Sequence, residues 1–331
     1  GLAPLPVRRL ISLSGPDAAK FLQGLVAQNV VSDRQAPFYT AFLDARGRIL
    51  WDVFIWTYPG LAEKEWACYI EVDAAEADNL QKHLKKHKLR SKIAIKTVPE
   101  GEVSVFAGWG FAQDELQHPS LIASLEDTRA PGFGVRFLLS GEQSSSSSAP
   151  PVPMLDLDQY VLRRYLFGIP EGQAEIPRES SLPMEMNIDL SSGIDFRKGC
   201  YVGQELTIRT KHTGVVRKRI LPIQLYHAHD PAPPGDSHPD FDATWSTPVV
   251  QGADIKQLDA EGSIRKGRAA GKYIAGVGNV GLALCRVEMM TGMRVSAEGG
   301  SWRPGMEFAL QSNEADEPVR IKAMVPTWFM E

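Results

Sequence analysis

Residues 38–56 limit the fold more than any other stretch, because they read as two strands folded onto each other. Phe38 to Leu43 is almost wholly apolar, Asp44-Ala45-Arg46-Gly47 reads as a turn, and Arg48 to Trp56 returns. Gly47 suits the positive φ that such hairpin turns often need. Asp52 interrupts the return strand. Alternation puts it on one face with Leu50, Phe54 and Trp56. A carboxylate in an apolar row is costly unless it is paired or binds something. A solvated strand edge and a ligand contact are both open from the sequence.

The segments around this hairpin mix helix and strand without a parallel-sheet rhythm. Leu10 to Leu13 reads as a strand, Ser14 caps a helix with Asp17 in its first turn, and Ala18, Phe21, Leu22 and Leu25 form its apolar face. Trp66, Cys68, Ile70 and Val72 share one strand face, which makes Cys68 a core filler. Ala74 to Leu89 is an amphipathic helix with Ala77, Leu80 and Leu84 inward. Its polar face carries Lys82, His83, Lys85, Lys86 and Lys88, read as a solvated face or as a docking patch for an acidic partner. Residues 93–98, 103–109 and 134–139 are further strands, and the pattern is α+β. Gly141 to Pro153 is rich in Ser and Pro and reads as a disordered surface loop. Asp156 caps a helix ending near Phe167, where Gly168-Ile169-Pro170 stops it.

With 331 residues the chain has room for two or three domains. Its net charge of −4 argues against general nucleic-acid binding. No apolar run approaches the roughly 20 residues of a membrane span. Cys68, Cys200 and Cys285 cannot all pair within one chain, so a reducing compartment is expected. The chain begins without Met, as a mature or trimmed form would.

Lys198-Gly199-Cys200-Tyr201-Val202-Gly203-Gln204-Glu205 sets one cysteine between two glycines, beside a lysine. A nearby cation favours the thiolate, the form that attacks carbon or binds metal. A buried structural cysteine is the alternative. Leu206, Ile208, Val215 and Val216 read as a strand and its neighbour, which would hold Cys200 on a loop. Arg209, Lys211, Arg217, Lys218 and Arg219 form a basic cluster. Asp230 to Thr244 reads as a loop, and no His/Cys/Asp spacing for zinc or calcium is present. Asp254 to Arg268 reads as a polar insertion. Gly276, Gly278 and Gly281 are followed by a strand, which excludes a dinucleotide loop, and Cys285 is expected in the core.

The run Lys-Gly-Cys-Tyr-x-Gly-Gln-Glu at 198–205 resembles the signature of the YgfZ-type folate-binding proteins, relatives of the glycine-cleavage T-protein (GcvT, aminomethyltransferase). Residues 196–214 are most similar to the mitochondrial branch of iron–sulfur cluster assembly factors. The resemblance implies a three-lobed fold around a central cavity. Residues 1–60 with 155–215 would form the first lobe, 61–150 the second, and 216–331 a β-barrel-like domain. It also implies that Asp52, Glu185, Asn187, Lys198 and Arg209 are candidate contacts for tetrahydrofolate. Asn187 stands where T-proteins carry Gly, and Cys200 stands in a loop that lacks cysteine in T-proteins, which counts against aminomethyl transfer. The implied activity is that of a non-enzymatic accessory factor for [4Fe–4S] proteins in the mitochondrial matrix. In it, Cys200 is a ligand of a cluster shared with an A-type carrier, and the chain is monomeric alone. A folate-dependent one-carbon transferase is the alternative.

Overall fold

The computed structural model describes residues 1–31, 36–57, 65–111, 116, 118–141, 152–236, 238–310 and 318–330. The expected Ser/Pro loop falls almost wholly outside the described residues. The chain divides into two compact units. One holds residues 1–160, 171–183 and 188–208, and the other holds 161–170, 184–187 and 209–331.

The first unit is built from β1 (Leu2–Pro4), β2 (Arg8–Ser14), α1 (Ala18–Gln23), β3 (Phe38–Leu43), β4 (Ile49–Thr57), β5 (Ala67–Asp73), α2 (Ala77–Lys88), β6 (Ala94–Thr97), β7 (Val103–Gly108), β8 (Leu121–Glu126) and β9 (Val135–Ser140). These strands form two antiparallel sheets, ordered β3-β4-β5-β2-β6 and β1-β7-β9-β8. The expected division near residue 60 runs through the first of these sheets, because β5 pairs with both β4 and β2.

The hairpin forms as the sequence suggests. β3 pairs with β4 from Phe38↔Ile55 onward. The turn closes through Gly47, whose N–H donates to the Asp44 carbonyl at 2.9 Å. Asp44 Oδ1 also accepts from the N–H groups of Arg46 and Arg48. Every residue of β4 is buried, so both of its faces are covered. Trp51, Val53 and Ile55 pack with Leu80 and Leu84 of α2 in one apolar core. Asp52 alternates with them.

α2 ends in a tight turn over Lys88-Leu89-Arg90-Ser91, where the Ser91 N–H donates to the Lys88 carbonyl at 2.8 Å. Leu89 has φ 43° and ψ −113°. That is the first central position of a type II′ turn, where glycine is the usual occupant. Placing a residue with a Cβ in such a region costs on the order of 1–3 kcal/mol.

α3 (Leu157–Phe167) and α4 (Gln204–Thr213) follow. Asp156 and Gln159 cap the start of α3 reciprocally, each side chain accepting from the other's N–H. α4 corrects the expectation of a strand through Leu206 and Ile208. Gly203, at φ 81°, turns the chain before Gln204 and Glu205, whose charge favours a helix N-terminus. Gly214, at φ 71°, closes the helix by donating to the Thr210 carbonyl.

The second unit contains a closed barrel. Its strands are β10 (Lys218–Tyr226), β11 (Asp254–Gln257), β12 (Gly271–Val277), β13 (Val280–Arg286), β14 (Phe308–Leu310) and β15 (Arg320–Ala323), with α5 (Val287–Met290) between β13 and β14. They close in the order β10-β13-β12-β11-β14-β15. The glycines at 276, 278 and 281 belong to the β12–β13 hairpin. The stretch expected as an insertion supplies β11, whose Ile255 is fully buried.

Candidate functional site

Cys200 is exposed, whereas Cys68 and Cys285 are buried in strands β5 and β13. Burial raises the thiol pKa of both core cysteines. The loop carrying Cys200 is held from three sides within the first unit. Lys198 Nζ donates to the carbonyls of Gln23, Val26 and Gln28 at 2.8, 2.7 and 2.9 Å. An ammonium has three N–H donors, so these carbonyls use all of them. The same Nζ lies 4.9 Å from the centre of the buried Tyr201 ring. Burial lowers the Lys198 pKa to about 8, against the raising effect of Asp195. The Val202 N–H donates to the Gly24 carbonyl, and Gln204 Oε1 accepts from the Tyr201 N–H. Lys198 therefore ties the loop to the end of α1, a positioning role that the sequence does not reveal.

The third side is a glycine–glycine contact with the hairpin turn. A Cβ on Gly203 would lie 2.3 Å from the Asp44 carbonyl oxygen and 3.1 Å from the Cα of Gly47. A Cβ on Gly47 would lie 2.8 Å from Leu206 Cβ. Both glycines have positive φ. Gly199 is different: a Cβ there meets nothing within 4 Å. Gly203 is required for packing, and Gly199 leaves open space beside the thiol. Arg197 and Glu205 are exposed on either side.

Asp52 lies in a buried charge network in the same unit. Arg8 Nε donates to Glu71 at 2.9 Å, Arg136 Nη2 to Glu71 at 2.8 Å and to Glu171 at 3.0 Å, and Arg129 Nη1 to Glu171 at 2.7 Å. Arg129 also forks onto Asp127, two residues before it, and Tyr160 donates to Glu171. Both Arg136 and Arg129 lie against the Phe54 ring, at 4.2 and 4.9 Å from its centre. Burial works against each guanidinium's charge, but the carboxylates outweigh it and hold all three pKa values above the ordinary range. Asp52 Oδ1 accepts from the Gly172 N–H at 3.1 Å, and Oδ2 lies 3.8 Å from Arg8 Nη1. Burial raises the Asp52 pKa, with Arg8 opposing and Glu171 assisting. Charges inside apolar strand rows, Glu71 among Ile70 and Val72 and Arg136 in β9, were the signal for this network.

The other candidates lie in the second unit. Glu185 is ion-paired to Lys218 at 2.7 Å. Asn187 is buried with φ 60°, and its amide donates to the Ile220 carbonyl at 2.8 Å while Oδ1 accepts from Arg219 at 3.3 Å. Left-handed backbone suits both Asn and Gly, which explains why this position can hold either. Arg209 is exposed on α4. Among the described residues no group of three or more His, Cys, Asp or Glu is arranged to hold a metal ion, and no helix is long and apolar enough to cross a membrane.

Comparison with known proteins follows this division of the chain. Residues 217–331 match the family model of the CAF17 C-terminal beta-barrel domain. The crystal structure of glycine cleavage system aminomethyltransferase T from Bartonella henselae aligns with a TM-score of 0.64 over 99% of this chain and 86% of that one, at 16% identity. The fold is thus that of the GcvT-like proteins, α+β with a C-terminal closed barrel. Mitochondrial iron–sulfur cluster assembly factor IBA57 homologues are much more similar in sequence. The one from Phaeosphaeria nodorum is 50% identical over 100% of this chain and 80% of its own length. Those from Coccidioides immitis and Neurospora crassa are 46% and 44% identical, over 98% and 100% of this chain and 82% and 81% of their own lengths. The chain belongs to the IBA57 family of mitochondrial iron–sulfur cluster assembly factors.

Proposed function

We propose that this chain is an accessory factor in the maturation of [4Fe–4S] proteins in the mitochondrial matrix, with Cys200 as its ligand to the cluster being built. The observation that carries the reading is the contrast among three thiols, of which only Cys200 is exposed. Its loop is pinned by Lys198 and Gly203, while the space beside Gly199 is open. Cluster irons are usually held by four cysteine thiolates. One thiolate per chain leaves the rest to a partner, and an A-type carrier with its own cysteines completes the set. The cluster is cargo, and the chain's contribution is a fixed thiolate.

The test is anaerobic mixing of the chain with an A-type carrier, iron and sulfide, followed by visible absorption. Wild type should give a coloured mixed complex, and Cys200→Ser should not. A Cys200→Ser protein forming an equally stable coloured complex would overturn the ligand assignment and favour a folate-dependent transferase.

Tetrahydrofolate binding is a second reading, supported by one observation. Arg8 Nη1 and Asp52 Oδ2, a donor and an acceptor side by side, lack hydrogen-bond partners among the described residues. Such a pair complements the donor–acceptor edge of a pterin. Both side chains are enclosed by protein, so entry requires the chain around them to open. Calorimetric titration with tetrahydrofolate should give binding that Asp52→Asn weakens, and no heat with wild type would remove this reading.

A further inference from the structure

We propose that the C-terminal end of α2, with the exposed Leu89 at its tip, is a docking surface for an acidic protein segment that carries an apolar side chain. Leu89 is 88% exposed, more than any other large hydrophobic residue described. It occupies a backbone conformation that glycine would adopt without strain. The fold gains nothing from the side chain there, since it buries almost none of it.

Beside Leu89 lies a surface depression of about 650 Å³, lined by Asp17, Lys20, Phe21, Leu89, Arg90 and Ser91. Phe21 and Leu89 are its apolar walls. Among the described residues, the exposed charged side chains of the last two turns of α2 and of the turn after it are all basic. Lys82, Lys85 and Lys86 project from α2, and Arg90 and Lys92 follow the turn. Asp17, the acidic group in the lining, already accepts from the Lys92 N–H at 2.7 Å. In a chain of net charge −4, such segregation makes a local positive field that selects an anionic partner. The concavity selects among anionic partners. A lipid surface is flat and leaves a depression unfilled, whereas a protein segment can insert an apolar side chain between Phe21 and Leu89 with its carboxylates on Lys20 and Arg90.

The surface is separate from the Cys200 chemistry, although α1 links them. Lys20 and Phe21 of α1 line the depression, and the Gln23 carbonyl at its end accepts from Lys198. A partner seated on this surface is held within one short helix of the signature loop.

The test uses the full chain and a short fluorescent peptide of alternating glutamates and leucines, read by anisotropy. The same peptide with lysines for glutamates, and vesicles of phosphatidylcholine with cardiolipin, serve as comparisons. The acidic peptide should bind, more weakly as salt rises, while the lysine peptide should not. Leu89→Gly should weaken binding about tenfold, equal to about 1.4 kcal/mol, with a melting temperature equal to or above that of wild type. Lys86→Glu with Arg90→Glu should abolish binding, and Cys200→Ser should leave it intact. Equal binding by Leu89→Gly, or loss of binding in Cys200→Ser, would overturn the proposal. Vesicle binding without peptide binding would overturn it too, in favour of a membrane surface.

Discussion

Arg8 Nη1 and Asp52 Oδ2 stand 3.8 Å apart in the closed interior of the first unit, and neither has a hydrogen-bond partner among the described residues. Among the described residues this is the longest ion pair of the buried network. The network sets Asp52, Glu71, Asp127 and Glu171 among Arg8, Arg129 and Arg136. A buried carboxylate oxygen whose partner is this distant is costly in its charged form. Burial accordingly raises the pKa of the Asp52 carboxyl, with Arg8 opposing.

The sign of the pH dependence follows. Asp52 holds its proton more tightly folded than unfolded, so its contribution to stability is full below about pH 4, the ordinary aspartate value, and is lost as pH rises through the folded pKa. Asp52→Asn removes this buried charge at every pH. In urea melts at a series of pH values, the variant should match wild type in acid and become relatively more stable towards neutrality. The gain should grow as pH rises above the ordinary aspartate value. Parallel stability curves for the two proteins would rule out this protonation scheme.

Gly203 and Gly199 flank the same cysteine and should respond differently to alanine. At Gly203 the new Cβ meets a carbonyl oxygen at 2.3 Å in a left-handed backbone, so Gly203→Ala should cost about 2 kcal/mol or more. At Gly199 the Cβ meets nothing, so Gly199→Ala should stay within about 0.5 kcal/mol of wild type. Thermal denaturation of the two variants decides the matter, and equal losses would count against the contact with the hairpin turn.

Lys198→Met should destabilise the first unit by about 1–3 kcal/mol, because three carbonyls lose a charged donor. Lys198→Arg should restore little of this. A planar guanidinium does not present three donors from one atom to the carbonyls of Gln23, Val26 and Gln28. Chemical denaturation of both variants gives the comparison. Full rescue by arginine would show that charge alone, without the tetrahedral geometry, holds the loop.

These outcomes bear on how much of the molecule can be read without a structure. The hairpin at 38–56, the cap at Asp156 and the core cysteines were legible because each rests on a local pattern: alternation, a turn glycine, a capping pair. The helical state of 204–213 was not, since Leu206 and Ile208 are spaced as in a strand and the deciding residue is Gly203 just outside the segment. The sheet joining β2 to β5 and β4 depends on contacts distant in sequence. The same is true of the buried network, in which Arg8 and Glu71 are 63 residues apart. The signature could be located from residue types, but not the reason for its lysine, whose partners lie about 170 residues earlier.

The three thiols differ in exposure. Cys68 and Cys285 are fully buried, and burial raises their pKa, so both lack accessibility and thiolate character. Cys200 is exposed. Treating the native protein with a maleimide should label a single thiol, and peptide mapping should place the label on Cys200. Unfolding in urea should expose the other two. Cys200→Ser should leave the native protein unlabelled and its melting temperature within about 1 °C of wild type, since exposed substitutions change stability by a few tenths of a kcal/mol. Cys68→Ser should instead lower stability by about 1–3 kcal/mol, because it buries a hydroxyl in the apolar core of the first unit, whereas Cys285→Ser should cost less, since the Cys285 thiol already donates to the Ala283 carbonyl. Labelling of Cys68 or Cys285 in the folded protein would mean that the strands carrying them open on the timescale of the reaction. Their silence would no longer single out Cys200 as the one thiol free to meet a cluster.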